Sequence, residues 1–406
     1  MIKVKLPLDG TNVLDLTRLL PGPYLTMLLG DYGADVLKIE DPIVGDYVRW
    51  RPPYIKNKNK TKKINALFTY LNRNKKSLTL NLKKKEGLKI FYRLVETADI
   101  IVESFRPIVK EKLKIDYETV KEINPTIIYV SLTGFGQNGP LKKVAGHDLN
   151  YISLTGILGL TGKKDEVSSI PGTQIGDIGV GGYMGFGSVL LALLAKEKYN
   201  IGQFIDLSIY DGLLSWLPLA FSSYFLDGEV PHKEERRLNG LLPWYNVYKT
   251  KDGKEITLAA LEFKFWKNFC KLIDRKDLIK KHEADPEKYS EIKETLSNIF
   301  TQKTRDQWVE LVRGIDCCLA PVLLIDEVME HPHFKERKPT IKYNHKLVGT
   351  VRQIGFSFNL SNTPGKLRLG APSYGEHNIE ILKSLGYNSD QIEYFMKEKI
   401  IGSKRK

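Results

Sequence analysis

Cysteine is scarce: three among 406 residues, at Cys270, Cys317 and Cys318. The number is odd and no C-x-x-C pair occurs, which argues against a disulfide framework or a thiolate zinc site. Sparse thiols suit a reducing compartment, and a cytoplasmic location is the expectation. His331 and His333 stand two apart without further ligands nearby in the sequence, so no metal is expected. No apolar run approaches the roughly 20 residues of a membrane-spanning helix, and MIKVKLPLDG at the start lacks the apolar centre of a signal peptide. A membrane partner is therefore not expected. The G-x-G-x-x-G fingerprint is also missing, so a dinucleotide site of the usual kind has no support.

Negative charge is in short supply. Against 48 Asp+Glu stand 62 Lys+Arg, a net charge of +14. Such a surplus raises the question of nucleic acid. The lysines are dispersed, however, and the densest run, Lys56 to Lys63 (KNKNKTKK), has no interleaved aromatics. That run reads as a solvated loop, and nucleic acid is not an expected partner. A smaller anion, such as a nucleotide phosphate, accounts for a basic site more economically.

What is present is an alternation of strands and helices. Val13–Leu16 reads as a strand, Pro21-Gly-Pro23 opens a helix through Leu29, Gly33 ends it, and Val36–Ile39 is the next strand. Such a βαβ unit crosses over right-handed with parallel strands. Residues 46–70 read as an irregular basic loop. SLTLNL follows as a strand, with Arg73, Lys75 and Lys76 beside it as candidate phosphate ligands or, equally, a solvated turn. Glu86–Glu96 and Asp116–Ile123 read as helices, Asp99–Val102 and Thr126–Leu132 as strands, and Asn124-Pro125 stops the second helix. Phe204–Ser208 is a strand and Tyr210–Phe225 a single helix. Residues 244–262 read as a hairpin turning at Asp252-Gly253, and Phe263–Ile273 and Thr304–Arg313 as helices. The expected fold class is α/β: a large Rossmann-like open parallel-sheet domain plus a smaller α+β domain. The divisions fall at 1–226 for the large domain, 227–335 for the small one with its linker, and 336–406 for a return to the large domain.

The centre of the chain is residues 132–187. Here Gly146-His147-Asp148 follows a turn-rich segment, and Gly176-Asp177 precedes Gly179, Gly181 and Gly182 and the apolar run Phe186–Leu194. A carboxylate at a Gly-rich helix start has backbone N–H groups close by, which can hold a developing oxyanion. The same letters also read as a capping aspartate and a core histidine.

Several separated motifs resemble the family of class III CoA-transferases and α-methylacyl-CoA racemases. They are VLDLTRLLPGPYLTMLLGDYGADVLKIE, LNRNKKSLTLNLK, ADIIVESFRP, LTGFGQNGP and APSYGEHNIEILKSLGY, in that order along nearly the whole chain. GHDLNYISLTG is similar to the racemase branch, and QIGDIGVGG resembles the position of the catalytic aspartate in both branches. The resemblance implies His147 and Asp177 as an acid/base pair, with Glu262 in LAALEFKFW near the site. It implies CoA contacts at Leu80, Asn81, Leu82, Lys83, Ser104, Phe105, Arg106 and Lys112, and along Gly146, Asp148, Leu149, Asn150 and Tyr151. It further implies an interlaced homodimer, with Glu262 contributed across subunits, and an acyl-CoA substrate from fatty-acid or lipid metabolism. No separate cofactor is implied, since CoA is the handle of the substrate. One departure is Asp41 in Ile39-Glu-Asp-Pro42, where the family often has arginine. The nucleotide end of CoA then falls to Lys38, Arg73, Lys75 or Lys76, or is bound less tightly. RLNGLLPWYN has a single glycine where the transferase branch carries a glycine-rich loop, which points to the racemase branch.

Inverting a carbon beside a thioester removes a proton from one face and delivers one to the other, so two acid/base groups must flank it. An imidazole titrates near neutrality. The carboxyl of Asp177 must be protonated when His147 is the base, which burial can arrange. The Gly-rich backbone around Asp177 is the expected oxyanion donor. In the alternative, a CoA-transferase, Asp177 is a nucleophile that becomes acylated and His147 is incidental.

Overall fold

Lysine and aspartate occur within the apolar strands, and the structure shows why. In the computed structural model, which describes residues 5–402, six parallel strands form the main sheet. In chain order the strands of this part of the molecule are β1 (Asn12–Asp15), β2 (Asp35–Glu40), β3 (Tyr54–Lys56), β4 (Lys63–Asn65), β5 (Lys75–Thr79), β6 (Ile100–Glu103), β7 (Ile128–Thr133) and β8 (Gln203–Ser208). The sheet order is β5-β2-β1-β6-β7-β8, all parallel, with β3 and β4 forming a separate antiparallel pair. The order reverses direction between β1 and β6. In open α/β sheets that reversal opens a crevice at the carboxyl ends of the strands.

Both faces are covered, so the strands read as apolar runs without alternation. On one face Ile90, Phe91, Leu94 and Val95 of the helix Lys85–Val95 join Ile101, Tyr129 and Leu78 in a continuous core. Burying each such side chain contributes about 1.5–3 kcal/mol. Against the other face lies the helix Pro21–Asp31. A ten-residue π-helix, Ile175–Met184, runs into the α-helix Gly185–Tyr199 and packs on it. The glycines of that segment allow the close approach: a Cβ at Gly181 would lie 2.5 Å from Pro21 Cβ, and one at Gly185 would lie 2.4 Å from Leu25 Cδ1.

Three details differ from the sequence reading. The expectation of no span-length apolar run is corrected: Ile175–Tyr199 is one helical segment of 25 residues, with a hydropathy of 1.8 over its most apolar window, enough to cross a membrane by length and composition. The stretch 178–195, which follows Asp177, already carries no charged residue in the sequence, and its glycines do not interrupt the helix. Tyr210–Phe225 is two helices, Ile209–Leu214 and Pro218–Asp227, because Pro218 cannot continue a helix and starts a new one. The loop 46–70 is largely structured: Asp46 caps a short turn over Tyr47–Trp50, β3 and β4 pair, and Asn65 caps a helix over Ala66–Leu71.

The chain divides into two compact units. The first contains the main sheet, the residues from Thr173 to Trp216 and the stretch from Pro339 on. The second contains Gly156–Gly172 and Leu217–Lys338. In the second unit a three-stranded antiparallel sheet of β9 (Tyr245–Lys249), β10 (Glu255–Ala259) and β11 (Leu319–Pro321) covers a core of Trp244, Trp266, Phe269, Phe300 and Trp308. In the first unit the returning segment forms the hairpin β12 (Thr340–His345) and β13 (Gly349–Ile354) and then the helices Asn378–Ser384 and Ser389–Lys397. It is tied to the sheet by polar contacts: Asn378 Nδ2 donates to Thr79 Oγ1 at 2.7 Å, and Asn81 N donates to Ile400 O at 2.8 Å.

The charges inside the strands form a network. Asp15, Lys38 and Lys75 are fully buried. Lys75 Nζ lies 3.0 Å and Lys38 Nζ 3.9 Å from Asp15 Oδ2, and Lys38 also reaches Asp46 Oδ2 at 3.1 Å. Burial works to raise the Asp15 carboxyl, but Lys38, Lys75 and the hydroxyls of Thr17 and Thr26 outweigh it and hold the group at about 2. Burial brings Lys75 down to about 8 despite Asp15. Removing one partner from such a cluster leaves buried charge uncompensated, at a cost of about 3–5 kcal/mol. Asp15→Asn is accordingly expected to lower the unfolding free energy measured by urea denaturation by an amount in that range. Adding Lys75→Met should recover part of the loss, and an Asp15→Asn protein as stable as the parent would remove the network from the support of the fold.

Candidate active site

The crevice predicted by the sheet reversal is occupied by two adjoining cavities in the first unit. The larger, about 580 Å³, is lined by Arg18–Pro21 after β1, Ser104–Pro107 after β6, Leu132–Phe135 at the end of β7, and Gly146, His147, Tyr151 and Asp177. The other, about 470 Å³, is lined by Leu16–Arg18, the turn Asp41–Tyr47 after β2, Leu80–Lys83 after β5, and Phe105, Val109 and Lys112. Arg18 and Phe105 belong to both. Every segment named follows the carboxyl end of a parallel strand or lies close to one.

His147 is exposed at the N-cap of the short helix Asp148–Leu154, in extended backbone (φ −125°, ψ 171°). Its N–H donates to Asn150 Oδ1 at 3.0 Å, which fixes the entry of the chain into the helix. Tyr151 sets the turn before it. The phenol donates to Gly146 O at 2.6 Å, and the ring meets Phe135 edge-on at 5.2 Å. A Cβ at Gly134 or Gly146 would lie 2.3 or 2.6 Å from Tyr151 Cε1, so both positions must be glycine for the ring to fit. Burial, then the charges of Asp177 and Asp148, push the Tyr151 phenol up to about 12, so it stays a donor.

Asp177 sits in the first turn of the π-helix, half-buried. Its backbone N–H donates to Asp148 Oδ1 at 2.8 Å. Burial, aided by the neighbouring Asp148 charge, raises the Asp177 carboxyl from 3.8 to about 7. A carboxyl in that range is present in both protonation states near neutrality, as an acid/base group requires. Of the backbone N–H groups expected to hold an oxyanion, that of Asp177 is already engaged by Asp148. The glycines that follow serve packing, Gly181 against Pro21, Gly182 against Tyr24 and Gly179 against Trp216.

The remaining sequence-derived residues divide sharply. Leu80, Asn81, Leu82, Lys83, Phe105 and Lys112 line the smaller cavity, while Ser104, Phe105 and Arg106 line the larger. Leu149 and Asn150 are exposed on the helix that His147 caps and line neither cavity. Arg73, Lys75 and Lys38 are withdrawn from any phosphate role by burial. Arg73 is bidentate to Asp31 and donates to Ile354 O and Gly355 O, and Lys75 and Lys38 belong to the Asp15 network. Lys76 is half-exposed but pairs with Glu380 at 2.6 Å, and it lines a separate cavity with Asn12 and Asp35 at the opposite ends of the strands. A one-letter code does not distinguish a lysine that points into the sheet from one that points out of it. Glu262, in the second unit, is exposed at the N-cap of the helix Phe263–Leu272 and makes no side-chain capping bond. Asp41 accepts from the N–H groups of Ile43 and Val44 at 2.8 and 3.0 Å, so it organises the turn beside the smaller cavity. Two cationic residues of the crevice escaped the sequence reading, Arg18 and Lys142. For Arg18 the usable signal was its place in the loop directly after the first strand.

A family model described as CoA-transferase family III matches residues 8–378. The α-methylacyl-CoA racemase of Mus musculus is 31% identical over 402 residues, covering 98% of this chain and 98% of that protein. The succinyl-CoA:glutarate CoA-transferase of Homo sapiens is 31% identical over 385 residues, covering 93% and 86%. Among solved structures, a CAIB/BAIF family protein from Brucella suis matches with a TM-score of 0.80 at 28% identity, over 94% of this chain and 100% of that one. Racemases and CoA-transferases stand at the same distance in sequence, and the family match runs from residue 8 to residue 378: the chain belongs to CoA-transferase family III.

Proposed function

We propose that this protein epimerises 2-methylacyl-CoA thioesters by 1,1-proton transfer through an enolate, with His147 and Asp177 as the acid/base pair. The observation that carries the reading is the Asp177 carboxyl: it faces the same cavity as His147 and is raised to about 7. In one direction His147 removes the α-proton and the protonated Asp177 supplies another from the second group. In the reverse direction the ionised Asp177 is the base. The adjoining cavity, with Lys83 and Lys112 in its lining, suits the CoA handle, whose binding energy holds the reacting carbon between the two groups. Human racemase and mouse racemase are similar to this chain over 98% of its length, which supports the same reading. The further pieces, Glu262 as an orienting carboxylate and an interlaced homodimer, belong to this proposal.

A second reading is CoA transfer through an acyl-Asp177 intermediate. It is favoured by the transferases found at equal identity. The two differ in what they ask of Asp177. A nucleophile must be ionised, so transfer rises with pH through about 7. Epimerisation in the direction that uses Asp177 as acid falls across the same range.

The deciding experiment is exchange of the α-proton of a 2-methylacyl-CoA in deuterated water, without an acceptor acid. Deuterium at C2 with loss of stereochemical purity is expected. CoA movement to an added carboxylate without exchange would replace the proposal with the transferase. His147→Ala and Asp177→Ala are each expected to reduce exchange by at least about 10²–10⁴-fold with unchanged circular dichroism. Asp148→Asn removes the charge beside Asp177 and should move the corresponding limb of the pH–rate profile to lower pH; an unmoved limb would detach that limb from Asp177.

Stability offers a readout independent of substrate. Between pH 3.8 and about 7 the folded Asp177 keeps a proton that the unfolded chain has released, so stability falls as pH rises and the loss is complete above 7. Asp177→Asn is therefore expected to stabilise the fold by about 2–4 kcal/mol at pH 8 and to be near neutral below pH 4. Urea unfolding at the two pH values measures both. Equal effects at both would show that the carboxyl is not raised.

A further inference from the structure

Arg18 stands where the two cavities of the crevice meet. Among the described residues it has no carboxylate within 4 Å, in contrast to Lys38, Arg49, Arg73, Lys75 and Lys110, which are all ion-paired inside the unit. Its partners are neutral. Nη1 donates to Tyr47 Oη at 2.9 Å, and the guanidinium carbon lies 5.3 Å from the ring centroids of both Tyr47 and Phe105. Two aromatic rings therefore hold the planar group while most of its donors stay open. A guanidinium held in this way has lost much of its rotamer freedom before any ligand arrives.

The backbone beneath it is over-determined. Thr17, one residue before, has its N–H and hydroxyl on Asp15 Oδ1 at 2.9 and 2.5 Å, and its carbonyl accepts from Lys38 Nζ at 2.8 Å. Leu19, one residue after, is in the left-handed region (φ 67°), with its N–H donating to Asp46 Oδ1 at 3.2 Å. A leucine adopts that conformation only where the surroundings enforce it. The buried charge network thus fixes the two residues on either side of Arg18.

The charges around it favour an anion. Lys83 and Lys112 line the smaller cavity, and neither has a carboxylate within 4 Å among the described residues. The acidic groups of that cavity are already occupied: Glu40 by Arg49 and Ser77, Asp46 by Lys38, and Asp41 by backbone N–H groups. An anion at the junction meets one fixed fork and two long flexible cations, with no free carboxylate facing it from those residues.

We infer that Arg18 is the anchor for the diphosphate of the CoA thioester, gripping it where the pantetheine arm passes from the smaller cavity into the larger. This rests on the reading of the crevice as a CoA-thioester site. The ligand class it selects is a diphosphate diester bearing a thiol-ended arm. The planar fork suits the two bridged phosphoryl groups, as guanidinium groups do with paired phosphate oxygens. The terminal 3′-phosphate is left to the lysines.

Calorimetry tests this with free CoA, 3′-dephospho-CoA and pantetheine, using the full chain and Arg18→Gln. The expected result is a loss of affinity of about 10–100-fold for both nucleotides and none for pantetheine. Arg18→Lys, which keeps the charge but loses the fork, should lie between. A loss for CoA that vanishes with 3′-dephospho-CoA would move Arg18 to the 3′-phosphate and overturn the assignment. Equal affinity of parent and Arg18→Gln for CoA, with thermal unfolding unchanged, would overturn it and leave the CoA reading intact. Failure of the parent itself to bind CoA would overturn both.

Discussion

One buried carboxylate, Asp15, joins three strands. It lies at the end of β1 and is shared by Lys38 of β2 and Lys75 of β5, all without access to solvent. An arrangement of two ammonium groups about one carboxylate is stable only if hydrogen bonds satisfy what the pairing leaves open. Thr17, Thr26, Asn72 and the carbonyl of Pro23 supply them. Because Thr17, Pro23 and Thr26 belong to the loop and helix after β1, the charge network also fixes the path of the chain at the crevice. The interior electrostatics and the geometry of the site are thus one structure.

The same distribution of charge separates the lysines and arginines by role. Those that point into the sheet or under the C-terminal return are neutralised by Asp15, Asp31, Glu40 and Glu103. Arg18, Lys83 and Lys112, which line the crevice, have no such partner within 4 Å among the described residues. Asp177 presents the opposite case. Among the described residues it is a carboxyl without a cationic partner, held beside a second carboxylate and partly desolvated, and its raised proton affinity follows from burial and from that neighbour.

The glycine-rich segment acquires a different meaning in three dimensions from the one its letters suggest. Read along the chain, Gly176, Gly179, Gly181 and Gly182 form a donor-rich helix start around an aspartate. In the folded molecule they are places where another group comes too close for a Cβ: Ile209, Trp216, Pro21 and Tyr24 in turn. The donor at Asp177 is taken by Asp148. Small residues answer both to packing and to catalysis, and only the neighbours decide between them.

Much of the fold was legible in the sequence, because elements are written in local periodicity. The βαβ opening, the apolar strands at Ile100 and Ile128 and the hairpin at Asp252-Gly253 depend on residues within a few positions of one another, and so do the pairings of turns and caps. The separated motifs marked His147 and Asp177 as residues to watch. Tertiary structure alone decided what depends on distant neighbours. It placed β6 beside β1 and so created the crevice, and it turned Lys38, Lys75 and Arg73 inward. It set Asp148 against the Asp177 N–H and left Arg18 facing the junction of two cavities. Burial and pairing are properties of position in space, and a lysine in an apolar strand carries the same letter whether its charge meets water or a carboxylate.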